Sequence, residues 1–451
     1  MFRFPNNLLH YIHMAVDKVS AVFRSLAVLF LIAIAVFAFE FPHTASPQAA
    51  STAAKALPEP PLGRLWHFQC VDTMKYSRDS AREFLDDPVR SQTFIANEVS
   101  IIKSLGATCV SVGTPYDDEF LPLLQQWTST IHSAGMQVWF RGNFAGWEGW
   151  FDYPLLKNAE EHHAKTYAFI TSHPEFFAEG DIFSPAPEAE NGLLGSPWAS
   201  GSARKALVDF AWKSSDTCQR AITAIHKKVN CGYFSANGDV ARDVYTHDVL
   251  QKAGAVTVID HYIPSVVQYG IDLDGYAQKH GLPIVIGEFG APILDLNGAL
   301  NEQEQAQYVG ELLRQFYTHK KQILGLNYWV LRGGSTELLN SDGSERAVTE
   351  VVRDYFMPGQ IVGTVLDGIG RPVKNAIVST GDTVQQVRTD AKGNFALSIP
   401  PGAVDLQVVA SGYSANIQRV ETSRGQQTAV KFFIEPVKPS LWYRTRAKLG
   451  I

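Results

Sequence analysis

The feature that most limits the fold of this chain is an alternation, repeated eight times between residues 65 and 356, of short apolar runs and amphipathic stretches. In the stretch 121–134, Leu124, Trp127 and Ile131 are spaced by three and four residues, as in a helix that packs one face inward. Other helix-like stretches are 91–105, 203–229 and 302–321. The predicted strands are 66–71, 108–112, 137–141, 181–184, 232–235, 256–261, 284–287 and 324–330.

These predicted strands are nearly continuous apolar runs, which indicates burial on both faces and therefore a parallel sheet. Eight strand–helix units in about 290 residues fit a closed (β/α)8 barrel better than an open doubly wound sheet. No glycine-rich phosphate fingerprint follows the first strand, which argues against a nucleotide-binding fold. We therefore predict an α/β protein whose main domain, residues 64–357, is a (β/α)8 TIM barrel.

Composition excludes several classes of protein. The chain is 45% hydrophobic and 19% charged, so it can bury an ordinary core and is neither disordered nor a polytopic membrane protein. Its net charge of −6, without a block of Lys or Arg, argues against nucleic-acid binding. Cys70 and Cys109, on neighbouring predicted strands, are predicted to be buried thiols. Neither a metal ion nor a cofactor is predicted, because there is no C-x-x-C pair and the acidic and histidine run 160–163 lacks H-E-x-x-H spacing, which favours a solvated helix face.

The start of the chain carries an export or membrane signal. Arg3, Lys18 and Arg24 precede an uninterrupted apolar run, 26–39. A run of this length after basic residues is typical of a signal peptide and marginal for a tilted anchor, and it orients the rest of the chain outward. Residues 1–41 are therefore predicted to be a signal peptide or an N-terminal membrane anchor, and 42–63 an Ala/Ser/Pro-rich linker. The protein is predicted to be extracytoplasmic, either secreted or anchored in the cell membrane.

Polar and aromatic residues gather just past the predicted strands, where barrels of this kind carry their active sites. Two of them are glutamates: Glu188 follows the fourth strand and Glu288 ends the seventh. Glycosidic hydrolysis needs one carboxylic acid to protonate the leaving oxygen and one carboxylate to attack the sugar or activate water. Strands four and seven end on opposite sides of a barrel mouth, so a sugar could lie between them. Further rim candidates are Tyr116, Arg141, Asn143, Glu190, His261, Tyr262 and Trp329.

The segments Gly287-Glu288-Phe289-Gly290 and Asn327-Tyr328-Trp329 carry a resemblance to a known group. Residues 65–356 resemble the clan A glycoside hydrolases, retaining enzymes with catalytic glutamates on strands four and seven, which include cellulase- and mannanase-like families. The resemblance implies that Glu288 is the nucleophile and Glu188 the acid/base. It also implies substrate-side roles: Tyr262 or His261 orients the nucleophile, Trp329 lies under the sugar, and Arg141 and Asn143 are polar contacts.

One position departs from the family pattern. The residue before the acid/base is usually Asn, and here it is Pro187, which has no side-chain amide. Glu190 stays a second candidate for the acid/base, because on a strand it would face the same way as Glu188. Tyr116, after the second strand, is a further candidate for substrate contact.

From these residues we predict an exported glycosidase that cleaves O-glycosidic bonds of a poly- or oligosaccharide. The predicted reaction is a retaining double displacement, which requires the two carboxyl groups to lie about 5–5.5 Å apart. The alternatives for the same site are a catalytically inactive carbohydrate-binding barrel and a transglycosylase. The protein is predicted to be a monomer that binds no nucleic acid and contacts a membrane only through an uncleaved N-terminal segment.

Residues 358–436 change to short alternating strands separated by Gly and Pro turns, the spacing of an antiparallel sandwich. Segments such as Gly370-Arg371-Pro372 and Gly393-Asn394-Phe395 resemble the carboxypeptidase regulatory-like, transthyretin-type fold, which implies a spacer or adhesion module. Residues 437–451 are a basic tail. Trp139, on a strand, and Trp212, on a helix, are predicted to pack in the core. The predicted strands are 361–366, 376–379, 385–389, 394–399, 405–410 and 430–434.

Overall fold

The computed structural model of the protein describes residues 57–438, together with Arg444 and Lys448. The predicted N-terminal segment (1–41), most of the linker (42–63) and most of the basic tail (437–451) lie outside the described residues. Among the helices within 57–438, none is both long enough and apolar enough to cross a bilayer. Export and anchoring therefore stay predictions.

Within residues 57–438, nine strand segments form one parallel sheet. They are β1 (Phe68–Asp72), β2 (Cys109–Val112), β3 (Gln137–Phe140), β4 (Ile182–Phe183), β5 (Asn230–Cys231), β6 (Ser235–Asn237), β7 (Thr257–Asp260), β8 (Ile284–Phe289) and β9 (Ile323–Tyr328). Their order is β5-β4-β3-β2-β1-β9-β8-β7-β6. Because β5 and β6, at the two ends of this order, are halves of one strand separated only by residues 232–234, the broken strand brings both sheet edges together. The predicted (β/α)8 fold class is confirmed.

The break in the fifth strand is where structure and predicted strands differ most. A strand was expected at 232–235, but Gly232 has φ +114° and Tyr233 has φ +42°. A Cβ on residue 232 would lie 2.6 Å from the Ala253 carbonyl carbon, so the position requires glycine. Two consecutive residues with positive φ cannot continue a β-ladder, and regular pairing resumes only at β6.

Helices cover the outside of this sheet. Helix Pro88–Ser104 begins at Asp87, whose side chain accepts a hydrogen bond from the Arg90 amide at 3.0 Å. In helix Leu121–Ser133 the buried stripe contains Leu124, Trp127 and Ile131, as predicted. The barrel's α-helices are Met74–Ser77, Ala81–Asp86, Pro88–Ser104, Leu121–Ser133, Ala159–Ser172, Gly201–Ala224, Gly238–Asp243, His247–Lys252, Val266–His280, Leu294–Asn297, Glu302–Thr318 and Ala347–Phe356. Short 3₁₀ turns occupy Asp118–Phe120, Ala145–Trp147, Trp150–Asp152, Pro174–Phe176 and Ala189–Asn191.

An aromatic cluster fills the barrel interior below the mouth. The rings of Phe68, Trp139 and Tyr233 have centroids 6.0 to 6.4 Å apart. Gly325 faces this cluster, and a Cβ there would collide with the Phe68 ring. Trp139 is fully buried, as predicted. The Arg141 guanidinium lies 5.4 Å from the Trp139 ring centroid, so the cluster forms the apolar floor on which the polar mouth is built.

Both pairs of cysteines are disulfide-bonded, so the prediction of buried thiols at Cys70 and Cys109 is wrong. Cys70 on β1 and Cys109 on β2 are direct register partners with their Cα atoms 4.5 Å apart. Parallel pairing brings the two side chains to the same side of neighbouring strands, within bonding reach. The second bridge, Cys218–Cys231, ties helix Gly201–Ala224 to β5.

The C-terminal domain is the predicted β-sandwich. Its strands are β10 (Gly359–Asp367), β11 (Ile377–Thr380), β12 (Gln386–Arg388), β13 (Asn394–Ile399), β14 (Gly402–Val409), β15 (Asn416–Thr422) and β16 (Gln427–Ile434). They form the sheets β13-β10-β16 and β12-β11-β14-β15 around an apolar core that includes Ile361, Leu406 and Phe432. Two details differ from expectation: β10 and β16 pair in parallel, and β15 was missed because this edge strand buries few side chains.

The sandwich contacts the barrel through helix Ala347–Phe356. Arg424 of the sandwich forms ion pairs with Glu350 at 2.7 Å and donates a hydrogen bond to Asp354 at 2.7 Å. The Gly63 amide donates to the Ser398 hydroxyl at 2.8 Å. The Arg424 contacts join the sandwich to the helix that follows the last barrel strand, and the Gly63 contact joins it to the segment before β1.

Candidate active site

Arg141, directly after β3, is the centre of a buried charge cluster in the barrel mouth. It is 1% exposed. Its guanidinium pairs with Asp72 at 3.1 Å, with Asp260 at 3.0 Å and with Glu288 at 2.9 Å. Burial by itself would lower the pKa of Arg141, but the three carboxylates outweigh burial and raise that pKa above its ordinary value. One guanidinium therefore joins side chains from the ends of β1, β7 and β8.

A buried amide fixes the geometry of this cluster. Asn327 donates from Nδ2 to Asp72 Oδ2 at 3.1 Å and to the Gly287 carbonyl at 2.8 Å. Its Oδ1 accepts a hydrogen bond from the Ser111 hydroxyl at 2.9 Å. Because Arg141 also donates to the Gly287 carbonyl, at 2.8 Å, the backbone next to Glu288 is held from two sides. Such a closed hydrogen-bond network holds its members rigidly.

Glu288 lies at the end of β8, 7% exposed, and receives a donor on each carboxylate oxygen. Arg141 Nη2 donates to Oε1 at 2.9 Å and the Tyr262 hydroxyl donates to Oε2 at 3.1 Å. Burial raises the pKa of Glu288 to about 7; Arg141 opposes this rise, nearby Glu188 and Asp72 add to it, and the Tyr262 hydrogen bond lowers it. Burial thus favours the protonated form of Glu288, whereas its two hydrogen-bond donors stabilise the carboxylate.

Asp260, at the end of β7, is a member of the cluster that the sequence analysis missed. It is buried, and its Oδ1 has no hydrogen-bond partner among the described residues. Burial raises its pKa well above the usual range; Arg141 opposes this, and Glu288 and Glu188 reinforce it. A Cβ on Gly287 would collide with Oδ1, so Asp260 explains why glycine precedes Glu288. The available signal was a carboxylate directly after the β-branched residues 256–259.

Glu188 lies in the loop after β4, half-buried and with φ +45°. Its backbone amide donates to the Ser235 carbonyl at 2.9 Å, which ties the loop to β6. Burial raises the pKa of Glu188; Arg141 opposes the rise, and Glu190 and Glu148 add to it. Glu188 therefore combines partial access to the mouth with a tendency to stay protonated.

Two further glutamates lie near Glu188. Glu190 is buried and accepts hydrogen bonds on Oε1 from Asn237, from the amide at 2.8 Å and from Nδ2 at 3.3 Å. It belongs to a 3₁₀ turn, so the strand spacing that would point it the same way as Glu188 does not apply. Glu148, which the sequence analysis missed, lies in the loop after β3, and burial raises its pKa to about 7 against the opposing charge of Arg78.

The two candidates after the sixth barrel strand face different ways. Tyr262 donates to Glu288, as described above. His261 Nε2 lies 2.9 Å from Asp272 Oδ2, and its ring packs at 4.8 Å against Tyr269 in the outer helix layer. Burial lowers the pKa of His261. Of the pair named for orienting the nucleophile, Tyr262 is thus the one that contacts Glu288.

Tyr116 and Asn143 turn away from Glu288. The Tyr116 ring is buried and stacks on Phe169 with centroids 4.7 Å apart. Asn143 Oδ1 accepts from the Phe144 amide at 2.8 Å and lies 2.9 Å from His162 Nε2. His162 is buried, so this part of helix Ala159–Ser172 is not the solvated face that the run 160–163 predicted.

Trp329 follows β9 at the mouth and is half-buried. Its amide donates to the Phe289 carbonyl at 2.9 Å, which fixes the residue next to the end of β8. The Lys75 ammonium lies 5.4 Å from the ring centroid. The indole N–H is buried and has no hydrogen-bond partner among the described residues, so the accessible part of this side chain is the ring rather than the N–H.

The structure thus brings Arg141, Tyr262 and Glu288 into contact and puts Glu188 within electrostatic range of them. Chemically, the arrangement offers a carboxylate supported by two donors and a second carboxyl group whose pKa is raised. Within residues 57–438, no group of three or more His, Cys, Asp or Glu side chains is arranged to hold a metal ion.

Residues 360–435 match the family model of the carboxypeptidase regulatory-like domain. This match confirms the resemblance predicted for the C-terminal sandwich. No curated protein sequence matches the chain.

Solved structures similar to the chain include several glycoside hydrolases. The β-glucuronidase of Bacteroides uniformis is 11% identical with a TM-score of 0.43, over 75% of this chain and 44% of that one. XacCel5A, solved in complex with cellopentaose, is 10% identical with a TM-score of 0.47, over 65% of this chain and 100% of that one. A family 5 xyloglucanase from Paenibacillus pabuli is 14% identical with a TM-score of 0.42, over 57% and 89% of the two chains.

The chain spans about half the length of the two β-glucuronidases it matches, 53% of one and 44% of the other. The barrel itself is established by its own strand order and register.

Proposed function

We propose that this protein is an exported retaining glycoside hydrolase that acts on a poly- or oligosaccharide, with Glu288 as nucleophile and Glu188 as acid/base. The observation that carries the proposal is the position of Glu288 between the Arg141 guanidinium and the Tyr262 hydroxyl, in electrostatic range of Glu188. Two carboxyl groups of unequal proton affinity at the ends of strands four and seven are what double displacement at an anomeric carbon requires.

The two donors on Glu288 decide which carboxyl group of the pair holds the proton. Each donor stabilises the anion of Glu288, whereas Asn191 is the side-chain donor that lowers the pKa of Glu188. The two donors therefore favour a proton on Glu188, and burial opposes them, since it raises the pKa of Glu288 to about 7 and also raises that of Glu188. This assigns the nucleophile to the seventh barrel strand and the acid to the fourth.

In the proposed first step, Glu288 attacks the anomeric carbon while Glu188 transfers its proton to the departing glycosidic oxygen. The bond to the leaving group breaks as a glycosyl ester forms. Esterification removes the negative charge of Glu288, so the pKa of Glu188 falls and Glu188 can accept a proton from water. That water attacks the anomeric carbon, releases the sugar with its original configuration and restores both carboxyl groups.

Glu188 is preferred to its neighbours as the acid because of their partners. Glu190 is held by both nitrogen donors of Asn237 and is not among the groups that perturb Glu288. Glu148 perturbs Glu188 rather than Glu288. The half-buried indole of Trp329 supplies a flat surface for a sugar ring beside the two carboxyl groups.

Export is supported by the two disulfides, Cys70–Cys109 and Cys218–Cys231. Structural disulfides persist in oxidising compartments and are rare in the cytosol. Together with the basic and apolar residues at the start of the sequence, they favour a catalytic domain outside the cell membrane, either released or tethered.

The test compares the wild type with Glu288→Gln, Glu188→Gln and Glu190→Gln on polysaccharides and on aryl glycosides with leaving groups of different pKa. We expect Glu288→Gln to stop turnover on every substrate. Glu188→Gln should lose about 10²–10⁴-fold with poor leaving groups and much less with dinitrophenolate, which needs no proton. If Glu190→Gln shows this dependence on the leaving group instead, the acid is Glu190.

The configuration of the first product, read by NMR, tests retention directly, and inversion would overturn the double-displacement mechanism. A catalytically inactive carbohydrate-binding barrel is the second candidate, favoured by Pro187, which removes a side-chain amide next to Glu188. A wild type that hydrolyses nothing, yet binds glycans as well as Glu288→Gln does, would establish that candidate. Transfer of the glycosyl group to an added sugar rather than to water would identify a transglycosylase.

A further inference from the structure

A groove on the outer wall of the barrel exposes two aromatic side chains. It lies between helices Ala159–Ser172 and Gly201–Ala224 and encloses about 810 Å³, a size within the range of about 300–1,000 Å³ found for ligand sites. Trp212 is 44% exposed and Tyr167, on the other helix, is 38% exposed. The prediction that Trp212 packs in the core is wrong, because Phe210, Ala211 and Cys218 occupy the inward side of its helix.

Each ring is accompanied by a cation that is itself paired. The Arg220 guanidinium lies 5.7 Å from the Tyr167 ring centroid, and the Lys252 ammonium lies 5.8 Å from that of Trp212. Asp216 pairs with both cations, with Arg220 at 3.0 Å and with Lys252 at 2.9 Å. These contacts hold the two rings in place at the groove.

The rest of the rim is polar and close to neutral. Lys213 pairs with Glu160 at 2.6 Å, and His163 lies below them with Nδ1 3.7 Å from Glu160. Burial lowers the pKa of His163. The groove therefore presents flat aromatic surface together with hydrogen-bonding groups and no large excess of charge.

We propose that this groove binds a glycan chain at a second site, outside the catalytic mouth, with Trp212 and Tyr167 stacking on sugar rings. A pyranose has an apolar C–H face that suits an aromatic ring and hydroxyl groups that suit paired acidic and basic side chains. The inference rests on the proposed function for its ligand class, since a carbohydrate is the substrate proposed for the mouth.

The position of the groove separates it from the mouth. Trp212 lies eleven residues after Gly201, so it is about 17 Å along the helix from the point where the loop that carries Glu188 ends, and its exposed ring lies on the outer wall. A sugar on Trp212 is therefore not the sugar at Glu288. Binding at both places would hold a long chain near the active site and raise its local concentration there.

The test is affinity electrophoresis of full-length Glu288→Gln through gels containing mixed-linkage β-glucan, xyloglucan or galactomannan. The same protein with Trp212→Ala and Tyr167→Ala should bind the retarding polysaccharide roughly ten-fold more weakly, because two stacking surfaces are lost. Ile271→Ala is the matched control, since Ile271 is a 59% exposed apolar residue on another outer helix, Val266–His280. It should leave the retardation unchanged.

Hydrogen exchange gives a second measurement that needs no substitution in the groove. In Glu288→Gln with the retarding polysaccharide we expect slower exchange in helices Ala159–Ser172 and Gly201–Ala224. Unchanged exchange in both helices, or no retardation by any of the polysaccharides, would overturn the proposal even if the alanine variant failed to fold.

The outcomes separate this proposal from the proposed enzyme. If the wild type hydrolyses nothing, but the Trp212→Ala and Tyr167→Ala variant binds glycans more weakly, the groove is supported and the enzymatic function is refuted. If the wild type is active, but the variant binds glycans as tightly as the protein without the two substitutions, only the groove proposal is overturned. A dimer, detected by light scattering, that the two substitutions dissociate would identify the face as a protein interface and refute the glycan site.

Discussion

Replacing Arg141 with Met tests the buried charge cluster most directly. The substitution keeps an unbranched apolar side chain over Trp139 but removes the partner of Asp72, Asp260 and Glu288, which pair with it at 2.9 to 3.1 Å. Removing one partner of a buried ion pair costs about 3–5 kcal/mol, because the other charge stays buried without compensation. We therefore expect the barrel to lose about 3 kcal/mol of unfolding free energy at pH 6.

The loss should grow with pH. Without the guanidinium charge, the native variant balances its buried carboxylates by holding about one proton more than the wild type does. Buried carboxyl groups with a raised folded pKa, as Asp260 and Glu288 have, contribute stability that is present at low pH and lost as pH rises toward that pKa. One extra retained proton changes the unfolding free energy by about 1.4 kcal/mol per pH unit. The deficit should therefore reach about 6 kcal/mol at pH 8.

The assay is urea unfolding at pH 6 and pH 8, followed by tryptophan fluorescence. Residues 358–436 contain no Trp, so the signal reports mainly on the barrel. Arg82→Met is the matched control, because Arg82 is exposed and its ion pair with Glu119 lies at the surface; it should unfold like the wild type at both pH values. A deficit for Arg141→Met below about 1 kcal/mol, or one that is equal at the two pH values, would refute the reasoning.

Three further predictions concern the same molecule. Tyr262→Phe removes the hydrogen bond that lowers the pKa of Glu288, so the acidic limb of the kcat/KM profile should move to higher pH and activity should fall more at pH 6 than at pH 8. Tyr269→Phe is the control and should leave the limb in place, because Tyr269 is buried and its hydroxyl has no hydrogen-bond partner among the described residues. Gly287→Ala puts a Cβ 2.9 Å from Val258 Cγ1 and even closer to Asp260, so it should lower the free energy of unfolding, measured by thermal unfolding, by about 1–3 kcal/mol. Gly275→Ala is the control, because this helical position has open space around it; it should stabilise the protein by up to about 1 kcal/mol. Replacing Cys218 and Cys231 with Ala removes a disulfide that closes a loop of 13 residues and should lower the free energy of unfolding by about 3 kcal/mol. Replacing Cys70 and Cys109, whose disulfide closes a loop of 39 residues, should lower it by about 4 kcal/mol; both losses are measured as shifts in the denaturant midpoint.

The barrel was predictable because its signal is periodic and repeated. Seven barrel strands lie within a few residues of their predicted positions, since buried parallel strands need continuous apolar runs. The fifth strand was misplaced because its break depends on positive φ at Gly232 and Tyr233 and on close contact with Ala253. Contact across the fold, rather than local propensity, decides such a position.

Residues at strand ends were predictable as candidates, but their side-chain directions were not. Arg141 and His261 each directly follow a strand, yet Arg141 contacts Glu288 and His261 turns to Asp272. Glu190 lies in a 3₁₀ turn and is held by Asn237, which no spacing rule shows. Asp260 was missed because a single carboxylate after an apolar run is an ordinary strand end until Arg141 is known to lie beside it.

The raised pKa values of Asp260 and Glu188 have a consequence for the proposed reaction. Arg141 brings one positive charge to four carboxyl groups, so ionisation of all four would leave the mouth with a charge of −3 and would raise the pKa of Glu288 further. The proposed reaction needs protons on Asp260 and Glu188 and ionised Asp72 and Glu288, a state in which the mouth carries about one net negative charge. That charge favours the positive character that develops at the anomeric carbon in the transition state, while Glu288 stays free to attack. Asp260 is thus best understood as a neutral hydrogen-bonding group: Asp260→Asn should preserve the proton on Glu188, whereas a permanently ionised Asp260 would compete with Glu288 for Arg141.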